Sequence, residues 1–569
     1  MTRLPPFINV EAILEVREGS RLREPIRSIK IGTDDFNKIR DKNAYYVDKT
    51  ALIDDIINLD SEVYLFTRPR RFGKSLNLSM LDSYFNLRYA NDPDRFAGLR
   101  ISELRPNDPE KNSNPVVHLN LKDLKAPDYG GFLEALSSVM SELYAEFPEL
   151  KESDLLNEKQ KQIYNEVLME GASEILLGRS LGLLTKMIET VYGKPVIVLI
   201  DEYDNAVNEA ATLDARRSIL GFYSTFLSEA LKSNRSLKFA VLTGVMQIAK
   251  ASIFSGLNNL YTDSIFDTRF QEYWGFSEDE VKKLCADFGH PEMFEEAKEW
   301  YDGYRFGTAE VYNPWSVLNY ADSGFVPKEY WANNSTNSIL EDLYRRADIS
   351  DLKDLIDIAG DGIVKALYTT ITYSDAENDD ESLYSVMAMT GYLKAVSEGN
   401  GLYRLSVPNN EVRRLMSVKL SSLSRIGQTG FNIFCTSIAN GDADTVERVL
   451  GEILLGGSYW NLTEERSYEL VIMTILYGIS ERFRIRTEQE GGNGRIDIIM
   501  EPKAAGRAGM IIELKKVDSE AELEGAADSA LSQIHEKRYY LGMRGTVLLY
   551  GISFCGKIPC VKHERLELQ

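Results

Sequence analysis

The chain has 569 residues, more than one hydrophobic core accommodates, and its 44% hydrophobic and 27% charged residues are typical of a globular protein of several domains. Its formal net charge of −22 excludes a chain that coats nucleic acid or an anionic membrane by bulk charge, although a local basic groove is compatible with it. Four cysteines without C-x-x-C spacing and only four histidines argue against a cysteine or histidine metal site, so carboxylates would have to hold any metal ion.

The N-terminal sequence MTRLPPFINV lacks the apolar core of a signal peptide. No run along the chain approaches the roughly 18 apolar residues of a membrane span. Together with the scattered cysteines, these features predict a reduced, cytoplasmic chain with no membrane contact. Residues 1–30 are polar and charged, and we expect them to form a loose lead-in.

Residues 31–275 alternate short apolar runs with amphipathic helices. Runs that are apolar on both faces and separated by helices are typical of a parallel sheet covered by helices. Four such runs are predicted as strands: Glu62–Thr67, Pro115–Leu121, Pro195–Ile200 and Leu237–Thr243.

The stretch TRPRRFGKS follows the first predicted strand and ends like a phosphate-binding loop. The usual P-loop pattern has a glycine five residues before Gly73, where this chain has Arg68. The residues after the loop have helical spacing, so the loop joins a strand end to a helix start, where free amides favour a phosphate. Gly73 allows close approach of the backbone, Lys74 can reach the β- and γ-phosphates, and Ser75 can ligate Mg²⁺.

We therefore predict an ATP site despite the missing glycine. Arg68 and Pro69 are expected to form a stiffer entry to the loop than glycine would, and Arg70 and Arg71 to add positive charge near the phosphates. The predicted nucleotide-binding residues of the loop are Arg71, Phe72, Gly73, Lys74, Ser75 and Leu76.

Two further predicted strands end in residues that suit nucleotide hydrolysis. The run VIVLIDEYD ends in Asp201, which can hold Mg²⁺ with Ser75, and in Glu202, which can polarise the attacking water. The run FAVLTGV ends in Thr243, which fits a sensor of the γ-phosphate on a strand between the other two. Alternatively, Thr243 merely caps the turn that follows.

Residues 276–429 are predicted to be helical, with no comparable series of strands. Their aromatic cluster could stack on nucleic-acid bases, but we favour packing of a small helical domain onto its neighbour. The acidic stretch Asp375–Glu381 is predicted to be a solvated surface loop. The aromatic cluster comprises Trp300, Tyr301, Tyr304, Phe306, Tyr312 and Trp315.

Residues 430–569 are predicted to form a separate α/β domain with helices over 430–440, 443–455 and from 463. In the later strands, Glu513 and Lys515 are two residues apart and therefore share a face. An antiparallel hairpin would bring Asp497 beside Glu513. Two carboxylates can hold Mg²⁺, which activates water, while Lys515 orients that water or offsets charge on a scissile phosphate. Asp497, Glu513 and Lys515 are therefore predicted to be catalytic, the two carboxylates as metal ligands.

Several stretches resemble bacterial AAA-ATPase-like proteins that carry a C-terminal PD-(D/E)XK nuclease domain. They are RPRRFGKSL, LIDEYD, LTGVMQIAKASIFSGLNNL, WYDGYRFG, YNPWSVLNY and YWANNSTNS, and the likeness covers most of the chain. In that family RPRRFGKS is the usual form of the loop. The resemblance implies an α/β protein with an AAA-type P-loop domain, a helical middle region and a restriction-endonuclease-like domain.

The resemblance also implies individual residue roles. The helix containing ALSQIHEKRYY would supply Gln533 to catalysis and Tyr539 as its aromatic residue, with Lys537 one turn from Gln533. Glu465 or Glu469 would supply an outer carboxylate, although the family has histidine where this chain has Glu469. The arginine finger of such ATPases has two candidates, Arg269 and Arg305, and Arg305 is equally compatible with a structural cation buried against Asp302.

These features together predict an ATP-hydrolysing, Mg²⁺-dependent enzyme that cleaves nucleic acid, with DNA favoured over RNA, in phage defence or mobile-element biology. One alternative is an ATPase switch whose nuclease-like domain binds nucleic acid without cutting it. Another is an ATP-driven remodeller that does not hydrolyse the strand. AAA modules usually assemble into rings, so a homo-oligomer is compatible with the sequence.

Overall fold

A computed structural model of the chain describes residues 28–247, 260–331, 354–355, 357–358, 362–370, 380–423, 427–456, 465–476, 479, 482–491, 494–504 and 506–568. Most of the predicted lead-in therefore lies outside the described residues. Of the predicted acidic loop, residues 375–379 also lie outside them, whereas Asp380 and Glu381 begin a helix rather than continue a loop.

The first part of the chain forms a five-stranded parallel sheet with the order β2-β3-β4-β1-β5. All four predicted strands are confirmed. Their apolar pattern is clear in the sequence because β1 and β3 are buried throughout and β2 and β4 over most of their length. The edge strand β5 was not predicted, since only Asp263 of its four residues is fully buried. The bounds are β1 Val63–Thr67, β2 Val116–Asn120, β3 Val196–Asp201, β4 Leu237–Gly244 and β5 Leu260–Asp263.

Helices connect these strands and cover the sheet. Ser173 caps the start of the long helix α8 by accepting a hydrogen bond from the Leu176 amide, and Gly193 ends it in a left-handed conformation. The helices are α1 Phe36–Asp41, α2 Ala51–Leu59, α3 Lys74–Phe85, α4 Arg100–Leu104, α5 Tyr129–Ala145, α6 Glu149–Glu152, α7 Glu158–Leu168, α8 Glu174–Tyr192, α9 Asn205–Glu209 and α10 Leu213–Leu231.

The middle region is helical, as predicted, but it also contains two small antiparallel sheets. One is the hairpin of β6 and β7, and the other has the order β8-β10-β9. These strands are short and partly exposed, so they lack the apolar pattern that marks the first sheet. The elements are α11 Glu278–Asp287, α12 Phe294–Tyr301, β6 Tyr304–Phe306, β7 Ala309–Val311, α13 Pro314–Asp322, β8 Ile363–Ala366, α14 Asp380–Met389, β9 Lys394–Gly399, β10 Leu402–Ser406 and α15 Asn410–Leu423.

The C-terminal part is a five-stranded mixed sheet with the order β11-β12-β13-β14-β15. Only β13 and β14 are parallel, and α19 makes the crossover between them. The elements are α16 Gly427–Asn440, α17 Ala443–Gly456, α18 Glu465–Leu476, β11 Phe483–Gly491, β12 Gly494–Pro502, β13 Gly509–Lys516, α19 Leu523–Lys537, β14 Gly545–Cys555 and β15 Ile558–Leu568.

One buried apolar cluster runs from the first sheet through the middle region into helices α16–α18. A second cluster lies within α11–α13, and a third lies between α19 and the C-terminal sheet. Within the described ranges, no helix is both long enough and apolar enough to cross a membrane. The α/β architecture inferred from the sequence is thus confirmed.

Candidate nucleotide and nuclease sites

The phosphate-binding loop lies between the end of β1 and the start of α3, as predicted. Gly73 precedes the helix with φ of 83°, in the left-handed region that favours glycine. A Cβ atom there would meet nothing within 4 Å, so the backbone conformation, rather than space, calls for glycine. The loop therefore presents the first amides of α3 beside the half-buried Ser75.

The Lys74 side chain is only 3% exposed and reaches back across the loop. Its Nζ donates to the carbonyl oxygens of Arg68 and Pro69, both at 3.1 Å. It also lies 3.8 Å from the Glu202 carboxylate at the end of β3. The structure thus brings together the loop lysine and the acidic strand end that the sequence suggested would share one site.

Arg68 has a structural role that the sequence did not reveal. Its fully buried guanidinium forms an ion pair with Asp263 and donates to the carbonyl oxygens of Thr67 and Asp263, both at 2.9 Å. Its Cζ lies 5.7 Å from the Trp274 ring and 5.3 Å from the Phe306 ring. Arg68 therefore ties the loop to β5, and its expected stiffening of the loop entry stays a prediction.

The two acidic residues at the end of β3 have different environments. Asp201 is 1% exposed, and its Oδ1 accepts the Thr243 hydroxyl at 2.5 Å. Its Oδ2 is buried without a hydrogen-bond partner among the described residues, as suits a carboxylate oxygen that holds a Mg²⁺-bound water. Glu202 is partly exposed and takes a left-handed φ of 51°. Thr243 thus contacts Asp201 from β4, which lies between β1 and β3 in the sheet.

A cavity of about 330 Å³ opens above these residues. Its lining includes Gly73, Lys74, Ser75 and Glu202, whereas Asp201 and Thr243 are buried and do not line it. The lining also has apolar side chains, which suit a nucleobase as the loop suits phosphates. They include Ile29, Tyr45, Val47, Phe276, Trp315 and Leu318.

The middle region packs directly onto the phosphate loop. The buried Phe72 ring lies 4.9 Å from that of Tyr304 and 5.1 Å from that of Phe306, so only the Phe72 backbone is left for a nucleotide. Arg71 stacks 4.1 Å from the Trp315 ring. Tyr301, Tyr304 and Tyr312 are fully buried. These contacts favour packing over base stacking as the role of the aromatic cluster.

Neither candidate for an arginine finger lines the cavity. The Arg269 guanidinium lies 5.9 Å from the Phe270 ring. Arg305 lies 3.8 Å from the Glu310 carboxylate, so its ion-pair partner is Glu310 and not Asp302 as the alternative reading expected.

In the C-terminal sheet, the predicted catalytic groups converge on β12 and β13. The two strands pair antiparallel, with Ile498 opposite Ile512. The Asp497 Oδ2 accepts the Leu514 amide at 2.7 Å, which places it beside Glu513. The Glu513 Oε1 accepts Lys515 Nζ at 3.3 Å and also accepts the Gln533 side-chain amide from α19.

Glu513 is only 2% exposed, and this burial explains its electrostatics. Burial and then the nearby Asp497 charge raise the pKa of Glu513 to about 7, against the opposing effect of Lys515. Its Oε2 is buried without a hydrogen-bond partner in the described part of the chain. A divalent cation would satisfy that oxygen and offset the repulsion between the two carboxylates, so the pair fits Mg²⁺.

The described residues contain no group of three or more His, Cys, Asp or Glu side chains placed to hold a metal ion. A Mg²⁺ ion at Asp497 and Glu513 would therefore complete its octahedron with water and phosphate oxygens, as Mg²⁺ commonly does. Glu469 is half-buried on α18, whereas the side chain of Glu465 lies outside the described part. The outer carboxylate stays a prediction.

Tyr539 joins two elements of this site. Its hydroxyl donates to the Arg495 carbonyl at 2.7 Å and accepts from Gln533 Nε2 at 3.2 Å. Lys537, at the end of α19, is exposed.

Sequence reasoning missed Gly551 of β14, which pairs with Glu513 of β13 and allows close packing of α19. A glycine inside the apolar run LLYGISF was the available signal.

The sheet order and the two sites define an AAA-type P-loop module joined to a restriction-endonuclease-like domain. Residues 30–254 match the family model described as predicted AAA-ATPase, and residues 463–564 match the PD-(D/E)XK nuclease superfamily. A protein from Azotobacter chroococcum mcd 1, described as an uncharacterized protein in the vnfD 5′ region, is 30% identical over 408 residues, covering 69% of this chain and 70% of that protein. The chain belongs to the family of predicted AAA-ATPases with a C-terminal PD-(D/E)XK domain.

Among solved structures, the Aeropyrum pernix ORC2 protein, described in ADPNP–ADP complexes, is similar to 65% of this chain over 91% of its own length. The identity is 14% and the TM-score is 0.30. The fold assignment does not depend on this likeness.

Proposed function

We propose that this protein binds and hydrolyses ATP and cleaves nucleic-acid phosphodiesters with Mg²⁺, DNA being favoured over RNA. The two activities would belong to the units predicted at residues 31–275 and 430–569, joined by residues 276–429. The observation that carries the nuclease proposal is the convergence of Asp497, Glu513, Lys515 and Gln533 around one buried carboxylate. Burying a charged group is costly, so a domain that only binds would gain by losing it.

At the nucleotide site, each residue has a definite task. Lys74 and the amides at the start of α3 would bind the β- and γ-phosphates. Ser75 and Asp201 would hold Mg²⁺, which neutralises phosphate charge when bound. Glu202 would orient the attacking water, and Thr243 would hold Asp201 in place.

At the nuclease site, Asp497 and Glu513 would hold Mg²⁺, which when bound lowers the pKa of its water and polarises the phosphate. The Lys515 ammonium would orient the attacking water and offset charge that develops on the scissile phosphate. Gln533 fixes one oxygen of Glu513, which leaves the other free for the metal. Tyr539 in turn holds Gln533.

The middle region would pass the nucleotide state to the nuclease domain. Trp331 donates its indole N–H to the Arg70 carbonyl at 3.3 Å, and its backbone amide donates to Glu411 at 2.7 Å. Glu411 stands near the start of α15, which packs against α16 and α18. Contacts thus run without a break from the phosphate loop to the helices beside the nuclease sheet.

Cleavage of plasmid and single-stranded DNA by the purified protein, with Mg²⁺ or Mn²⁺, tests the nuclease proposal. Lys515→Ala should abolish cleavage, whereas Lys516→Ala, on the opposite face of the same strand, should retain it. Absence of cleavage by the wild type with every nucleotide would instead support the ATPase switch or, if DNA stimulates ATP hydrolysis, the remodeller.

Binding and hydrolysis of ATP are measured separately. Lys74→Ala should abolish ATP binding, and Glu202→Gln should keep binding and lose hydrolysis. Retained binding in Lys74→Ala would contradict the proposed site.

For the biological setting, we propose phage defence or mobile-element control in the cytoplasm. Plaque counts on cells that express wild type or Lys515→Ala test the defence role.

A further inference from the structure

The cavity has more positive charge in its lining than the phosphate loop alone supplies. Some of these cations already have partners, since Lys49 binds the Glu280 carboxylate at 2.7 Å and Arg71 stacks on Trp315. Lys74 is held by loop carbonyls. The lysines and arginines of the lining are Lys30, Lys49, Arg70, Arg71, Lys74, Lys122 and Lys125.

Lys122 and Lys125 stand on the loop after β2, which is fixed to the acidic end of β3. The Leu121 amide donates to the Asp201 carbonyl at 3.0 Å, and the Asn205 side chain donates to the Lys122 carbonyl at 2.8 Å. Leu121 and Leu124 are fully buried and are joined by a turn hydrogen bond of 3.1 Å. The buried leucines leave the two lysines exposed.

Neither ammonium of this pair makes a hydrogen bond or an ion pair with any residue that the structure describes. Both groups line the same cavity as Lys74, Ser75 and Glu202. Both ammonium groups are therefore available to bind an anion. They lie at the carboxyl ends of the parallel strands, where the γ-phosphate of a bound ATP would lie.

We propose that Lys122 and Lys125 stabilise, from within the same chain, the charge on the γ-phosphate during ATP hydrolysis. This inference rests on the proposed ATPase function. A water oxygen bonds to the γ-phosphorus while the bond from phosphorus to the bridging oxygen breaks, and ADP keeps that electron pair. The water proton passes to solvent beside Glu202, and the lysines neither gain nor lose a proton.

If the two lysines supply this charge, the reaction does not require an arginine from a neighbouring subunit. The two lysines line the cavity of their own chain, whereas Arg269 and Arg305 do not and could reach a nucleotide only in another copy. A cation that stabilises transition-state charge more than ground-state charge raises kcat with little effect on substrate affinity. The site would accordingly be complete in one copy of the chain.

The test compares wild type with the double variant Lys122→Ala/Lys125→Ala. We expect kcat for ATP hydrolysis to fall about 100-fold while the ATP affinity changes less than about threefold. Lys159→Ala, on the exposed side of α7 and outside the cavity, is the matched control and should match wild type. Lys122→Arg/Lys125→Arg keeps both positive charges and should retain most of the wild-type kcat, which a purely structural role would not predict.

Mixing separates action within one chain from action between chains. The double alanine variant mixed with Lys74→Ala should show no recovery of ATPase activity, and wild-type specific activity should not rise with protein concentration. Recovery on mixing, or a double variant with wild-type kcat, would overturn the inference alone. A wild type that hydrolyses no ATP would overturn the proposed ATPase function and the inference with it.

Discussion

Arg68 lies within the phosphate-loop motif but has a structural role that the motif does not indicate, a buried ion pair with Asp263. Its charge is fully buried with Asp263, and breaking such a pair leaves an uncompensated buried charge. We expect Arg68→Gln to lower the free energy of unfolding by about 3–5 kcal/mol. Arg100, paired with Glu103 on the surface, is the control, and Arg100→Gln should cost less than about 1 kcal/mol.

Chemical denaturation of both variants measures these differences. Equal unfolding midpoints for Arg68→Gln and wild type would contradict the structural role. The sequence predicted only that Arg68 stiffens the entry to the loop, and it gave no sign of a buried ion pair. The pairing with Asp263 could not be predicted, because Asp263 lies 195 residues further along the chain, on a strand too short to recognise from its pattern.

The raised pKa of Glu513 predicts that metal binding at the proposed nuclease site depends on pH. Burial and Asp497 raise the pKa of Glu513 to about 7, above the value of an exposed glutamate, so the folded protein keeps this proton longer than the unfolded chain. This group therefore lowers stability as pH rises from that ordinary value through about 7. Metal binding needs the deprotonated carboxylate, so Mg²⁺ affinity should rise over the same window and level off above it.

Titration calorimetry with Mg²⁺ at a series of pH values, without nucleotide, checks this prediction. Below the pKa, the affinity should change by up to about tenfold per pH unit. Glu513→Gln should bind weakly at every pH. An affinity that is flat across neutral pH in the wild type would show that Glu513 is already ionised or is not a ligand.

Packing of α19 on the C-terminal sheet positions Gln533. Gly551 lies beside Glu513 in the sheet, where a Cβ would collide with the Ala527 carbonyl and come within 2.9 Å of the Leu531 amide. Gly551→Ala should therefore push α19 outward, cost about 1–3 kcal/mol and weaken cleavage. Gly525, on the same helix, has nothing within 4 Å of its Cβ position, so Gly525→Ala should be neutral or slightly stabilising.

Thermal unfolding and DNA cleavage of the two variants provide the comparison. If Gly551→Ala and Gly525→Ala have the same stability and the same cleavage rate, close contact at Gly551 does not position the helix. The strands of this site were predictable because alternation and the spacing of Glu513 and Lys515 fix a shared face. How closely α19 approaches was not, since it depends on a helix and a strand that come together only in the folded chain.

Four strands of the first sheet could be predicted from the sequence, whereas those of the small three-stranded sheet in the middle region could not. β1–β4 could be predicted because residues buried on both faces give continuous apolar runs. The sheet of β8, β9 and β10 could not, since strands such as Lys394–Gly399 are half-exposed and polar. Packing of Tyr304 and Phe306 onto Phe72 joins this region to the phosphate loop, which no local pattern reports.

Across the molecule, Glu411 joins residues that touch the phosphate loop to helix α15. Its carboxylate accepts the Trp331 amide and the Ser316 hydroxyl, both at 2.7 Å, and burial raises its pKa to about 7. Trp331 touches Arg70 in the phosphate loop, and Ser316 follows Trp315, which stacks on Arg71. Removing this carboxylate should therefore loosen both contacts with the phosphate loop at once, while leaving the loop itself in place.

We expect Glu411→Ala to bind ATP with nearly wild-type affinity but to lose any effect of ATP on DNA cleavage. Coupling energies between sites are typically about 1–3 kcal/mol, so the lost effect should correspond to a change of about 5- to 150-fold in the nucleotide response. Cleavage rates with ATP, ADP and no nucleotide measure that response. Glu398→Ala, an exposed glutamate on β9 paired with Arg404, is the control and should respond as wild type does. A Glu411→Ala variant whose cleavage still follows the nucleotide would place the coupling outside this chain of contacts, because Glu411 is the residue that holds Trp331 and Ser316 to α15.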